Sequence, residues 1–380
     1  MRTYFFIILF LLCQALSVNA KEIRVGLFEN TNITKVDVFY DIGRFEFYSE
    51  SESYGIISNR SDEINFIASN DKVKAYMNGK YLGEQIWFRL DYRIENNSLI
   101  IAGGTKKRKY KGNVILYSIK GKLKAINEID IDKYVEGVIK GEAGYGYSLE
   151  YYKVQAVISR TYALHHQKHK HEGFDLCDHT HCQVYHGIND KNTIAEAVEA
   201  TSEEVLVDSS LSYINTLFHS NCGGQTVSSD YVWSKKLECM ESIKDTFCLN
   251  SSQATWKKTI SKATWVQYLS QQTKKSISSV KSSDLNFNQY QRKEYYQFGN
   301  NKVRLVKIRS KFKLKSTYFS VHDIGDKVVL IGKGYGHGVG LCQEGGIVMA
   351  KTHSYKEVLH HYYKNVSIMP ISKVEYYRLF

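Results

Sequence analysis

Hydrophobic periodicity changes once along this chain, and the change limits what it can fold into. From residue 21 to about residue 125 the sequence reads as short alternating runs: EIRVGLF, KVDVFYDI, INFIAS, KVKAYM, SLIIAG, NVILYSIK and KLKAINEI. β-Branched and aromatic residues alternate with polar ones between Asn, Gly, Ser and Asp turns, the pattern of half-buried strands. At Ile131 the period switches. Ile131, Tyr134, Val135, Val138 and Ile139 fall on one face of a helix, which Gly141 is expected to end.

A second helix is expected over LEYYKVQAVISRTYALHHQKHK, N-capped by Ser148 and running to Lys170. Helices are also expected in TIAEAVEAT, ATWVQYLSQQTK, IVMAKTH and SYKEVLHHYYKN, and strands in EEVLVDS, YINTLFHSN, VRLVKIRS and KVVLIGKG. The polar stretch SISSVKSSDLNFNQYQRK reads as a surface loop. Without a regular βα alternation the fold class is α+β: a β-rich N-terminal module followed by a mixed α/β domain.

Residues 1–20 read as a secretory signal peptide, with Arg2 ahead of an apolar Tyr4–Leu16 stretch and Val18-Asn19-Ala20 as the cleavage site. Leu11-Leu12-Cys13 is a poor lipoprotein signal, and no later stretch is long and apolar enough to span a membrane. The expectation is an exported protein of the periplasm, cell envelope or exterior, with no transmembrane anchor in the mature chain. A formal net charge of +12 suits an anionic partner: cell-wall polymer, lipid headgroup or nucleic acid. The basic residues are dispersed and accompany no nucleic-acid-binding signature, so nucleic acid is excluded as the partner.

Export permits disulfides among Cys177, Cys182, Cys222, Cys239, Cys248 and Cys342. Two of these lie in HEGFDLCDHTHCQVYHG, residues 171–187, where His171, Cys177, His181 and Cys182 make an H-x5-C-x3-H-C set. Two thiolates and two imidazoles complete a tetrahedral zinc site and leave no open position for substrate water, so such a site is structural. The same residues also fit a Cys177–Cys182 disulfide, thiols paired elsewhere, or a histidine-rich loop with no ligand. His179 and His186 are spare histidines able to exchange roles with His181.

Glycine-rich GKGYGHGVGLCQEGG lacks the Gly-Lys-Ser/Thr of a phosphate loop and the acidic partner of a dinucleotide fold. It reads instead as backbone that approaches something closely and carries His337 and Gln343 to a cleft. LFHSNCGGQT is a second strand-to-glycine turn; its Ser220 lacks the G-x-S-x-G elbow of a hydrolase nucleophile. Glu142, flanked by Ala143 and Gly144, is placed where partial shielding raises a carboxyl pKa toward that of a general acid.

The ordered segments YVEGVIKGEAG, KVQAVISRTYAL, CQVYHG, FHSNCGGQT, GKGYGHGVGLCQEGG and VLHHYY resemble the SpoIID/LytB family of exported cell-wall proteins. The resemblance divides the chain into a signal peptide (1–20), a β-rich module (21–110) and a SpoIID/LytB-like domain (111–370). It implies a peptidoglycan lytic transglycosylase that cuts glycan strands at the MurNAc–GlcNAc linkage to 1,6-anhydro products. The family's catalytic glutamate falls on Glu142, although Ala143-Gly144 replaces the usual Met-Pro. The family's two-His, two-Cys zinc in the equivalent loop matches His171, Cys177, His181 and Cys182. Ser220, His337 and Gln343, together with Arg160, are then candidate glycan-binding groups, Arg160 for lactyl carboxylates. LytB-type relatives imply an alternative, a non-catalytic enhancer of a cell-wall amidase. Cysteine pairing stays open: with Cys177 and Cys182 on zinc, Cys239–Cys248 is the nearest-neighbour choice for a disulfide, and Cys222 and Cys342 either pair, if their two glycine loops meet, or stay free.

Overall fold

A computed structural model describes residues 21–50 and 52–378; the expected signal segment lies outside them. The chain forms two compact units, one holding the residues up to Glu142 together with Gln167–Asp190, the other Ala143–His166 together with Lys191 onward. This partition differs from the expected division near residue 110. The strands Lys106–Tyr110 and Asn113–Ile119 both belong to the first unit.

In the first unit, a seven-stranded sheet runs in the order Leu176–Cys177, Glu22–Leu27, Lys122–Asp130, Asn113–Ile119, Trp87–Tyr92, Phe45–Ser49, Glu52–Ile57. A six-stranded sheet runs Lys106–Tyr110, Ser98–Gly103, Lys35–Ile42, Glu63–Ser69, Lys72–Met77, Lys80–Gln85. The alternation read in the sequence places Val36, Val38, Ile64 and Phe66 of the second sheet in the buried layer, and strands not read there add Phe45, Phe47, Phe88 and Leu90 of the first. Phe66 meets Phe47 and Phe88 with ring centroids 5.6 and 5.7 Å apart, so aromatic burial joins the two sheets.

The last long strand feeds the helix Ile131–Glu142 without a loop. Asp130 Oδ1 accepts the N–H groups of Asp132 and Lys133 at 3.0 Å each, capping the first turn. The expected stripe, Ile131, Tyr134, Val135, Val138 and Ile139, is buried. Gly141 does not end this helix, which runs on through Glu142. Its glycine serves contact instead: a Cβ at Gly141 would lie 2.3 Å from Val184 O, and one at Gly137 2.3 Å from Gly187 O.

The second unit begins at the helix Leu149–His165, whose Ser148 hydroxyl accepts the Tyr151 N–H at 3.3 Å. The helix stops five residues short of the expected Lys170. His166 turns extended, and the rings of His165 and His166 bond Tyr213 O and Asn215 Oδ1. Nearly every side chain of this helix from Tyr151 to Ala163 is buried, so it is a core element of its unit. A three-stranded sheet (Thr255–Ser261, Lys327–Lys333, Tyr318–Ile324) and the helix Lys262–Thr273 share a core around Trp256, Trp265, Tyr296 and Phe319. The polar stretch read as a surface loop contributes Leu285 and Phe287 to that core, apolar residues the Ser/Lys/Asn composition obscured. The architecture is α+β with a β-rich N-terminal region, as the sequence pattern implied.

Candidate functional site

Glu142 ends its helix half-buried, and its Oε1 accepts the Val184 N–H at 2.7 Å. Burial raises its pKa above the ordinary glutamate value, and the Val184 N–H opposes that in part by favouring the carboxylate. Burial and this one N–H are the two influences on its carboxyl among the described residues.

The two helix glycines explain how Val184 gets there. Gly137 and Gly141, four apart, lie on one side of the helix and let the backbone of Val184–Gly187 press against it. That segment is anchored by Tyr185, whose hydroxyl donates to Asn127 Oδ1 at 2.9 Å and whose ring packs 5.0 Å from that of Tyr134. Tyr134 in turn donates to Gln183 Oε1 at 3.1 Å. Sequence reasoning missed Val184, whose contribution is a backbone group. The available signal was the Gly-x3-Gly spacing inside an otherwise regular helix.

In the same unit, the Cys/His loop is pinned to the sheet edge. Leu176–Cys177 pairs parallel with Val25–Gly26, and the buried Asp178 carboxylate accepts the Phe28 N–H and an Arg108 N–H at 3.0 Å each. The structure brings His169, Cys177, His181 and Cys182 together, with one ligand atom of each within 4.8 Å of all the others. His181 Nδ1 lies 3.6 Å from Cys177 Sγ and 3.7 Å from Cys182 Sγ.

His171, the expected fourth member, is corrected to His169. The His171 side chain is 77% exposed and points away to Glu172. Early termination of the Leu149–His165 helix causes the exchange, because the chain then makes the 3-10 turn Lys170–Glu172 and leaves His169 on the inner side. His169 Nδ1 bonds Glu172 Oε1 at 2.6 Å, its ring stacks on Phe174, and its Nε2 is buried with no hydrogen-bond partner. His179 Nδ1 accepts the His181 N–H, and His186 is exposed; neither joins the group. Cys177 donates to Cys182, which holds the Cys177 thiol pKa up and brings Cys182 down to about 7.

In the second unit, the two glycine-rich turns do meet: Phe218–His219 pairs parallel with Leu341–Cys342. Ser220 is half-buried and its carbonyl accepts the Glu344 N–H at 3.0 Å; half-buried Gln343 opens the helix Gln343–Met349. The half-buried His337 ring lies 5.5 Å from that of His219 and 5.2 Å from that of Trp233. Its Nδ1 accepts the Val339 N–H at 3.1 Å, leaving the proton on Nε2. Burial, reinforced by the Arg309 cation, pushes its pKa down to about 4, so the ring is neutral near pH 7.

Arg160 is a correction. Its side chain is fully buried in its unit and donates to Glu204 O at 3.1 Å and Val198 O at 3.4 Å, so it ties backbone segments together and offers no surface to a lactyl carboxylate. The Cys239–Cys248 pairing is also replaced: Cys248 Sγ lies 3.3 Å from Cys222 Sγ, in a group that contains Cys342 and leaves Cys239 out.

Residues 119–207, which carry burial-shifted Glu142 and the two-His, two-Cys loop, match the family model for SpoIID, stage II sporulation protein. That span contains Glu142, Val184 and the whole Cys/His loop. The match to the SpoIID model and the likeness to an amidase enhancer both point to the SpoIID/LytB family. It is 28% identical to the amidase enhancer of Bacillus subtilis (strain 168) over 287 residues, covering 62% of this chain and 40% of that one. It is 27% identical over 275 residues to an uncharacterized protein of Brachyspira hyodysenteriae, covering 70% of this chain and 73% of that protein. No helix among the described residues is long and apolar enough to cross a membrane.

Proposed function

We propose that this chain works on the bacterial cell wall as a peptidoglycan lytic transglycosylase, with Glu142 as its acid and base. One observation carries the reading: the Glu142 carboxyl sits half-buried at its helix end, raised by burial and steadied by the Val184 N–H at 2.7 Å. Water-using glycosidases employ two carboxyl groups flanking the bond. A lytic transglycosylase has use for one. Protonated Glu142 donates its proton to the glycosidic oxygen as that bond breaks. The carboxylate so formed takes the proton of the muramic acid C6 hydroxyl as its oxygen bonds the anomeric carbon and closes the 1,6-anhydro ring. Water is not consumed, and Glu142 ends protonated for the next cycle. The two influences on Glu142 suit both halves: burial favours the acid, and the Val184 N–H stabilises the carboxylate.

Ser220, His337 and Gln343 are proposed as saccharide contacts, the His337 ring being neutral. Export through residues 1–20 belongs to the same proposal. So does zinc. Two ligands of one tetrahedral zinc, a thiolate near 2.3 Å and an imidazole near 2.05 Å, stand about 3.6 Å apart. The His181–Cys177 and His181–Cys182 separations are 3.6 and 3.7 Å. His169 fits as well: Glu172 holds Nδ1 and leaves Nε2 facing the group, the carboxylate–histidine arrangement that orients metal ligands. Zinc bound by His169, Cys177, His181 and Cys182 would be structural, cross-linking the loop whose continuation supplies Val184.

The similarity to an amidase enhancer favours a second reading, in which the chain stimulates a cell-wall amidase and makes no sugar product itself. Purified glycan incubated with the chain, with and without an amidase, separates the two: release of anhydro-sugars by the chain alone supports lysis, whereas a rise only in amidase products supports enhancement.

A further inference from the structure

We infer that the second unit holds a zinc site of its own, built from Cys222, Cys248, Cys342 and Asp245. The four ligand atoms lie within 4.8 Å of one another and all four residues are buried. They come from three separate stretches: the Cys-Gly-Gly turn, the Asp245-x2-Cys248 loop, and the glycine turn ahead of the helix Gln343–Met349. Cys222 Sγ lies 3.3 Å from Cys248 Sγ and 3.2 Å from Asp245 Oδ2. Pairs of thiolate and carboxylate ligands on tetrahedral zinc stand about 3.6–3.8 Å apart, so these two separations are within roughly half an ångström of that geometry.

The surroundings are arranged for anionic sulfur. The backbone N–H groups of Cys222 and Gly345 point at Cys342 Sγ from 3.2 and 3.4 Å. The carboxylate is oriented from both sides, by the Tyr362 hydroxyl on Oδ2 at 2.9 Å and the Phe247 N–H on Oδ1 at 3.0 Å, as ligating carboxylates are. Gly345 leaves room for it: a Cβ there would lie 2.4 Å from Asp245 Oδ2. Next to the group is the buried Arg292 guanidinium, which donates to neutral acceptors, the carbonyls of Cys222 and Gln225 and the Thr317 hydroxyl. Three thiolates and a carboxylate around a divalent cation carry a net negative charge that would offset this cation in a low-dielectric interior.

A Cys222–Cys248 disulfide uses only part of this. It would leave Cys342 as a lone buried thiol receiving two N–H bonds and Asp245 as a buried acid with no cation near its oxygens. Zinc uses all four groups and fastens the Phe218–Cys222 turn to the Leu341–Cys342 turn, which hold Ser220 and Gln343. The borderline-soft character of zinc suits three thiolates and one oxygen.

The test is zinc stoichiometry on the full-length exported chain purified without chelator, by elemental analysis and native mass spectrometry, together with peptide-level thiol alkylation. Wild type is expected to carry two zinc ions, C342S one and C182S one. Cys222, Cys248 and Cys342 should resist alkylation until denaturant and chelator are both added. If C342S does not fold, the wild-type stoichiometry and alkylation pattern decide. One zinc with only Cys177 and Cys182 protected would overturn this site while leaving the His/Cys site standing. A Cys222–Cys248 disulfide-linked peptide, or three freely alkylated thiols, would overturn it too.

Discussion

Gly141→Ala tests how the fold shapes Glu142 without touching the carboxyl. A Cβ at residue 141 falls 2.3 Å from Val184 O, and the closest comfortable carbon–oxygen contact is about 3.3 Å, so helix and segment must separate by about 1 Å. The Val184 N–H to Glu142 Oε1 bond, now 2.7 Å, then stretches past hydrogen-bonding range. Two effects follow. Overpacking costs about 1–3 kcal/mol, a fall of several degrees in Tm. Loss of the N–H removes the one influence that lowers the Glu142 pKa, so the pKa rises further and the alkaline limb of the activity profile moves up. A misplacement near 1 Å at a proton-transfer group costs up to about 10²-fold in rate. Thermal unfolding and the pH dependence of anhydro-sugar release from purified glycan read these together. A G141A protein with wild-type Tm and an unmoved alkaline limb would refute the claim that this glycine brings Val184 to the carboxyl.

His169→Ala is expected to abolish zinc binding in the first unit, while His171→Ala leaves zinc content at the wild-type level; metal analysis of both checks the ligand exchange. For His337 the folded pKa near 4 lies below the unfolded value near 6.5, so its contribution to stability is complete above pH 6.5 and is lost as pH falls toward 4. That contribution is roughly 3 kcal/mol at most. Tm measured against pH should therefore fall less steeply between 6.5 and 4 in His337→Gln than in wild type, and parallel curves would contradict the neutral buried imidazole.

Much of the fold could be read from local pattern. The strand alternation up to residue 125 and the stripe from Ile131 to Ile139 both reappear as buried faces, because burial on one side of an element imposes the period that the sequence displays. What could not be read depended on where elements stop and on backbone groups. Gly141 has the character of a helix terminator by propensity, but tertiary contact with Val184 keeps it inside the helix. The helix ending at His165 contains no Gly or Pro near its end; it stops because His165 and His166 find partners at Tyr213 and Asn215, 48 and 49 residues further along the chain. That long-range event moved the cluster's first histidine from 171 to 169. Arg160 reads as a binding residue only as long as the helix carrying it is taken to be amphipathic. Burial on all sides makes it a structural cation. The meeting of Cys222, Cys248 and Cys342 required the pairing of two distant glycine turns.

The most direct test is Glu142→Gln, assayed for 1,6-anhydro products released from purified glycan strands. Gln keeps the shape and can still accept the Val184 N–H, and it removes a carboxylate that burial disfavours at neutral pH, so Tm should be unchanged or slightly higher. Loss of the proton donor should lower product release by about 10²–10⁴-fold. A folded E142Q protein that releases anhydro-sugars at the wild-type rate would contradict the assignment of Glu142 as acid and base.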